Sequence, residues 1–313
     1  MFLCVSLNPA IDKRLRLDRL RQGRVNRAKE VAPAPGGKAA HVAMVLKTLG
    51  ADPLWLGFAG GSTGAAVIEG LHALSIRVEA IATSSATRMN LEIIEDNGAI
   101  TEILEPGESV TAEEIKRLRD TYEAALRKSR GDATVILSGS LPPGVPEEFY
   151  AELVGIGHQF GRRVLVDTSA EPLKLALEAQ PDFVKPNQEE AEWLSGATID
   201  GSRSAERVLQ TILHAGAKAG AISLGAKGLV WRSANQEKAL FANAPAVAVR
   251  SSVGSGDATL AGFAFAASQE LEPAEALRLA AACGAANCLA EAPGRACADD
   301  IARLKKEIHV EIL

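Results

Sequence analysis

Short apolar runs bounded by glycine, proline or small polar residues alternate with stretches of helical periodicity along most of this chain, and few folds accept that pattern. Leu54 to Phe58, Thr134 to Leu137, Val164 to Val166, Phe183 to Val184 and Ala221 to Leu224 carry apolar side chains toward both faces, as strands of a sheet covered on both sides must. Between such runs lie amphipathic segments. In Glu113 to Lys128, Thr111 is placed as the N-cap and Glu114 as its reciprocal partner in a capping box. The alternation predicts a layered α/β architecture around a parallel sheet. From Asp257 onward the chain reads as almost wholly helical, with Leu260, Phe263, Leu277, Leu279 and Leu289 supplying the apolar faces.

Two regions break the alternation. In Thr87 to Leu104, Met89, Leu91 and Ile93 alternate with Asn90 and Glu92, a period of two, and Lys13 to Ala32 also departs from the helical pattern. Both are expected to form antiparallel strands of one small sheet, leaving the body near Pro35-Gly36-Gly37 and Pro106-Gly107 and placed to act as a lid. The division is then 1–12, 33–86 and 107–313 for a large α/β domain, and 13–32 with 87–106 for the lid. Leu15 and Leu17 alternate with Arg14 and Arg16, so a homodimer paired through the lids is a further expectation.

Charge narrows the partners. Lys+Arg number 34 against Asp+Glu 39 in 313 residues, a formal charge of -5, which leaves no broad basic field for a nucleic-acid backbone. Any anionic ligand must be held locally. No apolar run reaches the ~18 residues of a membrane span, and the N-terminus enters the strand-like Phe2 to Leu7 without a basic region and signal-peptide core. The expectation is a cytoplasmic chain with no membrane partner. Cys4, Cys283, Cys288 and Cys297 form no C-x-x-C pair and are expected to be buried free thiols rather than metal or redox groups.

The strongest local signal is Ser251 to Thr259, S-S-V-G-S-G-D-A-T, directly ahead of a helical run. Glycines at a helix start leave backbone N–H groups uncovered, and the helix end adds about half a unit of positive charge, so an oxyanion is welcome at Gly254, Ser255 and Gly256. Asp257 beside such a nest fits a general base; the plain alternative is a helix N-cap. Gly36-Gly37-Lys38 precedes another apolar-periodic helix and offers backbone and ammonium donors. Lys185-Pro186-Asn187 ends a buried strand, with Glu190 one turn on, a spacing that holds water around Mg²⁺ or simply caps a helix. Ser223 to Gly228 places a glycine-framed lysine at a strand end, where α/β sheets bind ligands, unless it is only a turn between strands. Asp12, after the first strand, is placed to accept from hydroxyl groups. Arg88 and Asn90 share one face of the lid, and the fork of Arg88 suits a phosphate. Ser138 to Gly144, with hydroxyls at Ser138 and Ser140, closes another strand.

In this order N-P-A-x-D, G-G-K, T-R-x-N, S-G-S-L-P-P-G, K-P-N-x-x-E, S-L-G-x-x-G and V-G-S-G-D resemble the PfkB group of ribokinase-like sugar kinases over essentially the whole chain. Within it the chain looks most similar to the branch taking phosphorylated ketohexoses, the tagatose-6-phosphate kinases and phosphofructokinases. The resemblance implies a three-layer α/β/α sandwich with a β lid. It implies ATP phosphates over Gly254, Ser255 and Gly256, with Asp257 as catalytic base. Asp12, Gly36, Gly37, Lys38, His41, Asn90, Ser138 and Ser140 would meet the sugar, and Arg88, helped by Arg24 or Arg27, its existing phosphate. Lys185, Asn187, Ser223, Gly225, Gly228 and Asn287 would meet the nucleotide, and Asn187 and Glu190 would order Mg²⁺ through water. The activity implied is ATP-dependent phosphorylation of tagatose 6-phosphate or fructose 1-phosphate to the 1,6-bisphosphate. The rivals are a kinase of an unphosphorylated sugar or nucleoside and a non-catalytic sensor. One departure stands out: the family usually reads G-G-K-G-x-N, whereas Ala39 and His41 follow Lys38 here. His41 either donates in the asparagine's place or marks a different substrate.

Overall fold

The strands follow in order as β1 Phe2–Ser6, β2 Ala10–Leu17, β3 Glu30–Gly36, β4 Pro53–Ala59, β5 Arg77–Ala82, β6 Arg88–Glu95, β7 Ile100–Leu104, β8 Thr134–Ser138, β9 Arg163–Asp167, β10 Phe183–Val184, β11 Ala219–Ser223, β12 Leu229–Ser233, β13 Leu240–Ala242 and β14 Val310–Ile312. The helices are α1 Lys38–Thr48, α2 Gly61–Ala73, α3 Ala112–Lys128, α4 Phe149–Gln159, α5 Ala170–Glu178, α6 Gln188–Ser195, α7 Ser202–His214, α8 Ser255–Ser268, α9 Pro273–Leu289 and α10 Ala298–Lys305. The structure, a computed structural model, describes residues 1–129, 131 and 133–313.

Ten strands form the main sheet in the order β14-β13-β12-β11-β10-β9-β8-β1-β4-β5. It is parallel from β11 to β5, and antiparallel pairing adds β12, β13 and β14 at one edge. Every residue of β1 is buried because both faces are covered. Leu3 and Val5 join one core with Leu118 of α3, Leu153 of α4 and Leu209 of α7. Phe2 and Cys4 join the other with Val42 of α1, Leu260 of α8 and Leu277 of α9. This is the expected three-layer α/β/α sandwich. Thr111 and Glu114 make the expected capping box, the Thr111 N–H donating to Glu114 Oε2 at 2.7 Å and the Glu114 N–H to Thr111 Oγ1 at 3.3 Å.

A second, four-stranded sheet has the order β3-β2-β6-β7. It takes in Ala10 to Asp12 and Pro33 to Gly36, which the sequence division assigned to the body. It is also mixed rather than antiparallel, because the central pair β2 and β6 runs parallel with Asp12 opposite Asn90. β2 enters from β1 and β6 from β5, so both leave the body in one direction and β3 and β7 return beside them. The near-wholly helical final third needs a second correction, since the chain ends in β14 against β13. Cysteine burial needs a third: Cys4 and Cys283 are buried free thiols, but Cys288 is half-buried and Cys297 exposed, at the turn into α10. Among the described residues no helix is long and apolar enough to cross a membrane.

Candidate active site

A cavity of about 890 Å³ opens where β8, β9, β10 and β11 end and the four-stranded sheet overhangs them. Strand order reverses beside β1, and such a point leaves a crevice beyond the strand ends that neighbouring helices do not fill.

At its centre are two carboxylates with a histidine between them. Asp12 reaches the cavity from β2, Asp257 from the first turn of α8, and His41 from the first turn of α1. His41 Nε2 lies 2.9 Å from Asp12 Oδ2, and Nδ1 lies 2.8 Å from Asp257 Oδ2. The second Asp12 oxygen accepts from Asn90 Nδ2 at 2.9 Å. Gly36 is required here for space, since a Cβ at that position would overlap the Asp12 carboxylate. Burial alone would drive the His41 ring neutral, but the hydrogen bonds and charges of Asp12 and Asp257 outweigh it and push its pKa up to about 10. Asp12 responds in the opposite sense: burial raises its pKa, yet His41, Asn90 and Arg88 together hold it below the usual carboxylate value.

Gly254 caps α8 in the left-handed region, φ 76°, against Pro293; the Ser255 N–H donates to the Ser252 carbonyl at 3.1 Å, and Gly254, Ser255 and Gly256 all line the cavity at the helix N-terminus. Behind them Lys185 and Lys38 flank Asp167 at the end of β9, with Nζ to carboxylate distances of 3.5 and 3.3 Å. Lys185 and Asp167 are almost fully buried, whereas the Lys38 side chain is 37% exposed. Burial disfavours the Asp167 anion, but the two lysines more than compensate and hold its pKa low. Lys38, opposed by burial and favoured by Asp167, Glu190 and Asp257, is shifted up. Asp167 thus holds the two ammonium groups side by side at the cavity wall.

Asn187 and Glu190 take up the capping reading of their spacing. They close a capping box on α6, with the Glu190 N–H donating to Asn187 Oδ1 at 2.8 Å and the Asn187 N–H to Glu190 Oε2 at 2.9 Å, and both also line the cavity. Glu190 Oε1 remains directed toward Lys38 at 3.8 Å. Ser223 and Gly225 line the far end, while Gly228 lies outside it in the β11–β12 turn. Asn287 also lies outside: it donates to the Val253 carbonyl and accepts from the Gly294 N–H, both at 2.8 Å, and so fixes the segment ahead of Gly254. Ser140 is at the wall and accepts from Asn8 Nδ2 at 3.1 Å, whereas Ser138 is buried behind it. Gly37 lines the cavity and caps α1. Arg88 lines it too, but its guanidinium donates to the carbonyls of Asn8 at 3.0 Å and Glu105 at 2.6 Å. Arg24 and Arg27 sit in an exposed loop outside the lining.

Four acidic residues of the cavity wall, Asp167, Glu92, Glu102 and Glu189, escaped the sequence reading. Asp167 had a signal, an acid ending the apolar run Val164 to Val166, at the strand end where parallel sheets place ligands. Glu92 and Glu102 face each other across β6 and β7 and line the lid side. Burial and then the Glu92 charge raise the Glu102 pKa. Nothing in their spacing distinguished them from solvated strand residues.

A profile of the pfkB family carbohydrate kinases matches residues 4–300. The chain belongs to that family. Membership makes this PfkB protein a carbohydrate kinase, an ATP-dependent phosphotransferase with an alcohol acceptor. It is 29% identical over 310 residues to a 1-phosphofructokinase of Vibrio cholerae, covering 99% of this chain and 96% of that one. Phosphofructokinase-2 from Escherichia coli in complex with substrates and products superposes with a TM-score of 0.90 at 26% identity, over 98% of both chains. The tetrameric inhibited form of the same Escherichia coli enzyme gives 0.89, again at 26% identity and 98% of both.

Proposed function

We propose that this PfkB kinase phosphorylates the free primary hydroxyl of a ketohexose phosphate, tagatose 6-phosphate or fructose 1-phosphate, to the 1,6-bisphosphate. The observation carrying this reading is the position of Asp257. Asp257 is 5% exposed in the first turn of α8, next to Gly256 at the helix N-terminus, in the cavity that also holds Lys38 and Lys185. As the alcohol oxygen bonds to the γ-phosphorus of ATP, its O–H bond breaks and the proton passes to Asp257. The bond from that phosphorus to the β–γ bridging oxygen breaks and ADP leaves. A positioned base contributes typically ~10²–10⁴-fold. Alignment and charge stabilisation by the amides and lysines supply most of the rest, since phosphoryl transfer asks little covalent work of the protein.

The donor set suits Mg²⁺ held through water rather than in a protein cage. Asn187 Oδ1 and one Glu190 oxygen are used in the capping box, and no cluster of three or more His, Cys, Asp or Glu suited to a metal occurs among the described residues. Bound there with the nucleotide, Mg²⁺ would neutralise charge on the phosphates.

Support for a phosphorylated acceptor comes from the relatives, a 1-phosphofructokinase and phosphofructokinase-2, the latter also solved with fructose-6-phosphate. Arg88 supplies a cation at the sugar end of the cavity. The opposing observation is the Glu92–Glu102 pair on the same lid face, which favours a neutral acceptor such as a free sugar or nucleoside. A coupled ADP-release assay over tagatose 6-phosphate, fructose 1-phosphate, fructose 6-phosphate, fructose and adenosine decides. Turnover confined to the phosphorylated sugars supports the proposal, turnover with fructose or adenosine alone overturns it, and calorimetric binding without ADP indicates a sensor.

The lid also favours pairing of two copies. Val31 and Ile103 are exposed on β3 and β7, in register with Leu15 and Leu91. A molecular mass of one chain by light scattering would remove this element.

A further inference from the structure

His41 occupies a place in the cavity that neither base nor ligand contact accounts for. It is 4% exposed, and both ring nitrogens are spent on carboxylates of different elements, Asp12 of β2 and Asp257 of α8. Among the described residues no hydrogen bond reaches the other Asp257 oxygen, Oδ1. The expectation that His41 donates to substrate therefore fails for this arrangement, because no ring N–H remains.

The chemistry of the three groups restricts their protons. An ionised carboxylate only accepts, and a neutral imidazole has one donor and one acceptor nitrogen. Two carboxylates on two ring nitrogens thus require an imidazolium, or one carboxyl in its acid form. The surrounding charge favours the imidazolium. Besides Asp12 and Asp257, Glu102 on the lid feels the charge of the ring, and Glu92, Lys38, Arg88, Asp167, Lys185, Glu189 and Glu190 line the same cavity. Gly294, packed on the backbone of His41, is uncharged. An asparagine at this position would present an amide donor at one end and a carbonyl at the other, so it could not donate to two carboxylates in opposite directions.

We propose that His41 is a positioning residue for phosphoryl transfer: clamped as a doubly donating imidazolium between Asp12 and Asp257, it fixes Oδ2 of the base and leaves Oδ1 for the acceptor hydroxyl. The histidine thereby ties the carboxylate that recognises the sugar to the carboxylate that takes its proton. The inference rests on the kinase reading for its consequence, but not for the bridge itself.

Two measurements separate these. In protein labelled with ¹⁵N at histidine, one of the five rings should stay protonated at both nitrogens from about pH 6 to pH 9, and Asp257→Asn or Asp12→Asn should bring its titration into that window. A His41 ring that is neutral at pH 7 in the unaltered protein overturns the proposal. In kinetics on the accepted sugar phosphate, His41→Asn and His41→Gln should lose about 10²-fold in kcat, with the KM for ATP within about twofold and the acid limb of the pH–rate profile moved to higher pH. A purely structural role would lower the melting temperature and leave that limb in place, and this result, or an unchanged kcat, also overturns the proposal. If the doubly protonated ring is present but no sugar phosphate yields ADP, the kinase reading fails and the bridge stands.

Discussion

Ser251, in the segment leading to Gly254, donates a 2.6 Å hydrogen bond to Glu92 Oε1 on β6, so the lid is fastened to the chain that shapes the anion site. Glu92 is buried, and Oε2 has no partner among the described residues. Replacing Ser251 by alanine leaves the carboxylate wholly unpartnered on the protein side. A loss of about 1–3 kcal/mol in unfolding free energy is expected, measured by urea denaturation, together with a higher KM for the sugar. Wild-type stability in Ser251→Ala would show that water already carries this bond.

Asp257→Asn keeps the shape of the first turn of α8 and removes the proton acceptor. Turnover should fall by ~10² or more, with the ATP dissociation constant changed only a few-fold in calorimetry. Unaltered turnover would take Asp257 out of the base role.

Lys185 is 3% exposed and depends on Asp167 for its counter-charge. Asp167→Ala strands that ammonium in the interior, and about 3–5 kcal/mol of stability should be lost. Replacing Asp167 and Lys185 together should cost less than Asp167→Ala alone, and a double-mutant cycle in urea would reveal whether it does.

Arg88→Ala tests whether the guanidinium meets a phosphate or only ties down the Asn8 and Glu105 carbonyls. A phosphate contact predicts at least about a tenfold rise in KM for a sugar phosphate, the magnitude of a charged hydrogen bond, and little change for an unphosphorylated sugar. Equal effects on both would assign Arg88 to lid architecture.

Stability should carry the mark of the bridge in its pH dependence. The His41 ring titrates near 6.5 in an unfolded chain and at about 10 in the folded protein, where it binds the proton more tightly. Its contribution is therefore complete below about pH 6.5 and lost as the pH rises through about 10. Asp12, held low in the fold, contributes above its unfolded value near 4 and loses that contribution as the pH falls. The difference in unfolding free energy between wild type and His41→Gln should shrink steadily on the alkaline side. A pH-independent difference would contradict a protonated ring.

Much of this architecture was legible because buried parallel strands and amphipathic helices leave periodic traces. Leu54 to Phe58 and Thr134 to Leu137 fall within β4 and β8, and the Thr111 cap holds to its hydrogen bonds. The lid was partly legible: alternation in Met89 to Ile93 marked β6, but Pro33-Ala34-Pro35 hid the end of β3. Parallel pairing of β2 with β6 joins segments far apart in the chain, and no local pattern encodes it. In the site, glycines and lysines announced themselves through their motifs. The Asp12–His41–Asp257 bridge did not, because its members come from three elements and meet only when lid, α1 and α8 assemble. Asn287 likewise reads as a late helical residue until the loop at Gly294 folds against it.

The short run from β1 to β2 carries a further consequence. Asp12 belongs to the overhanging sheet, while His41 and Asp257 stand on helices rooted in the main body. Any tilt of that sheet moves one end of the bridge and not the other, so the gap from Asp12 to the imidazole gauges how far the roof is raised. With the roof raised, the imidazole would stay with Asp257 while the carboxylate that recognises the sugar moved out of its reach.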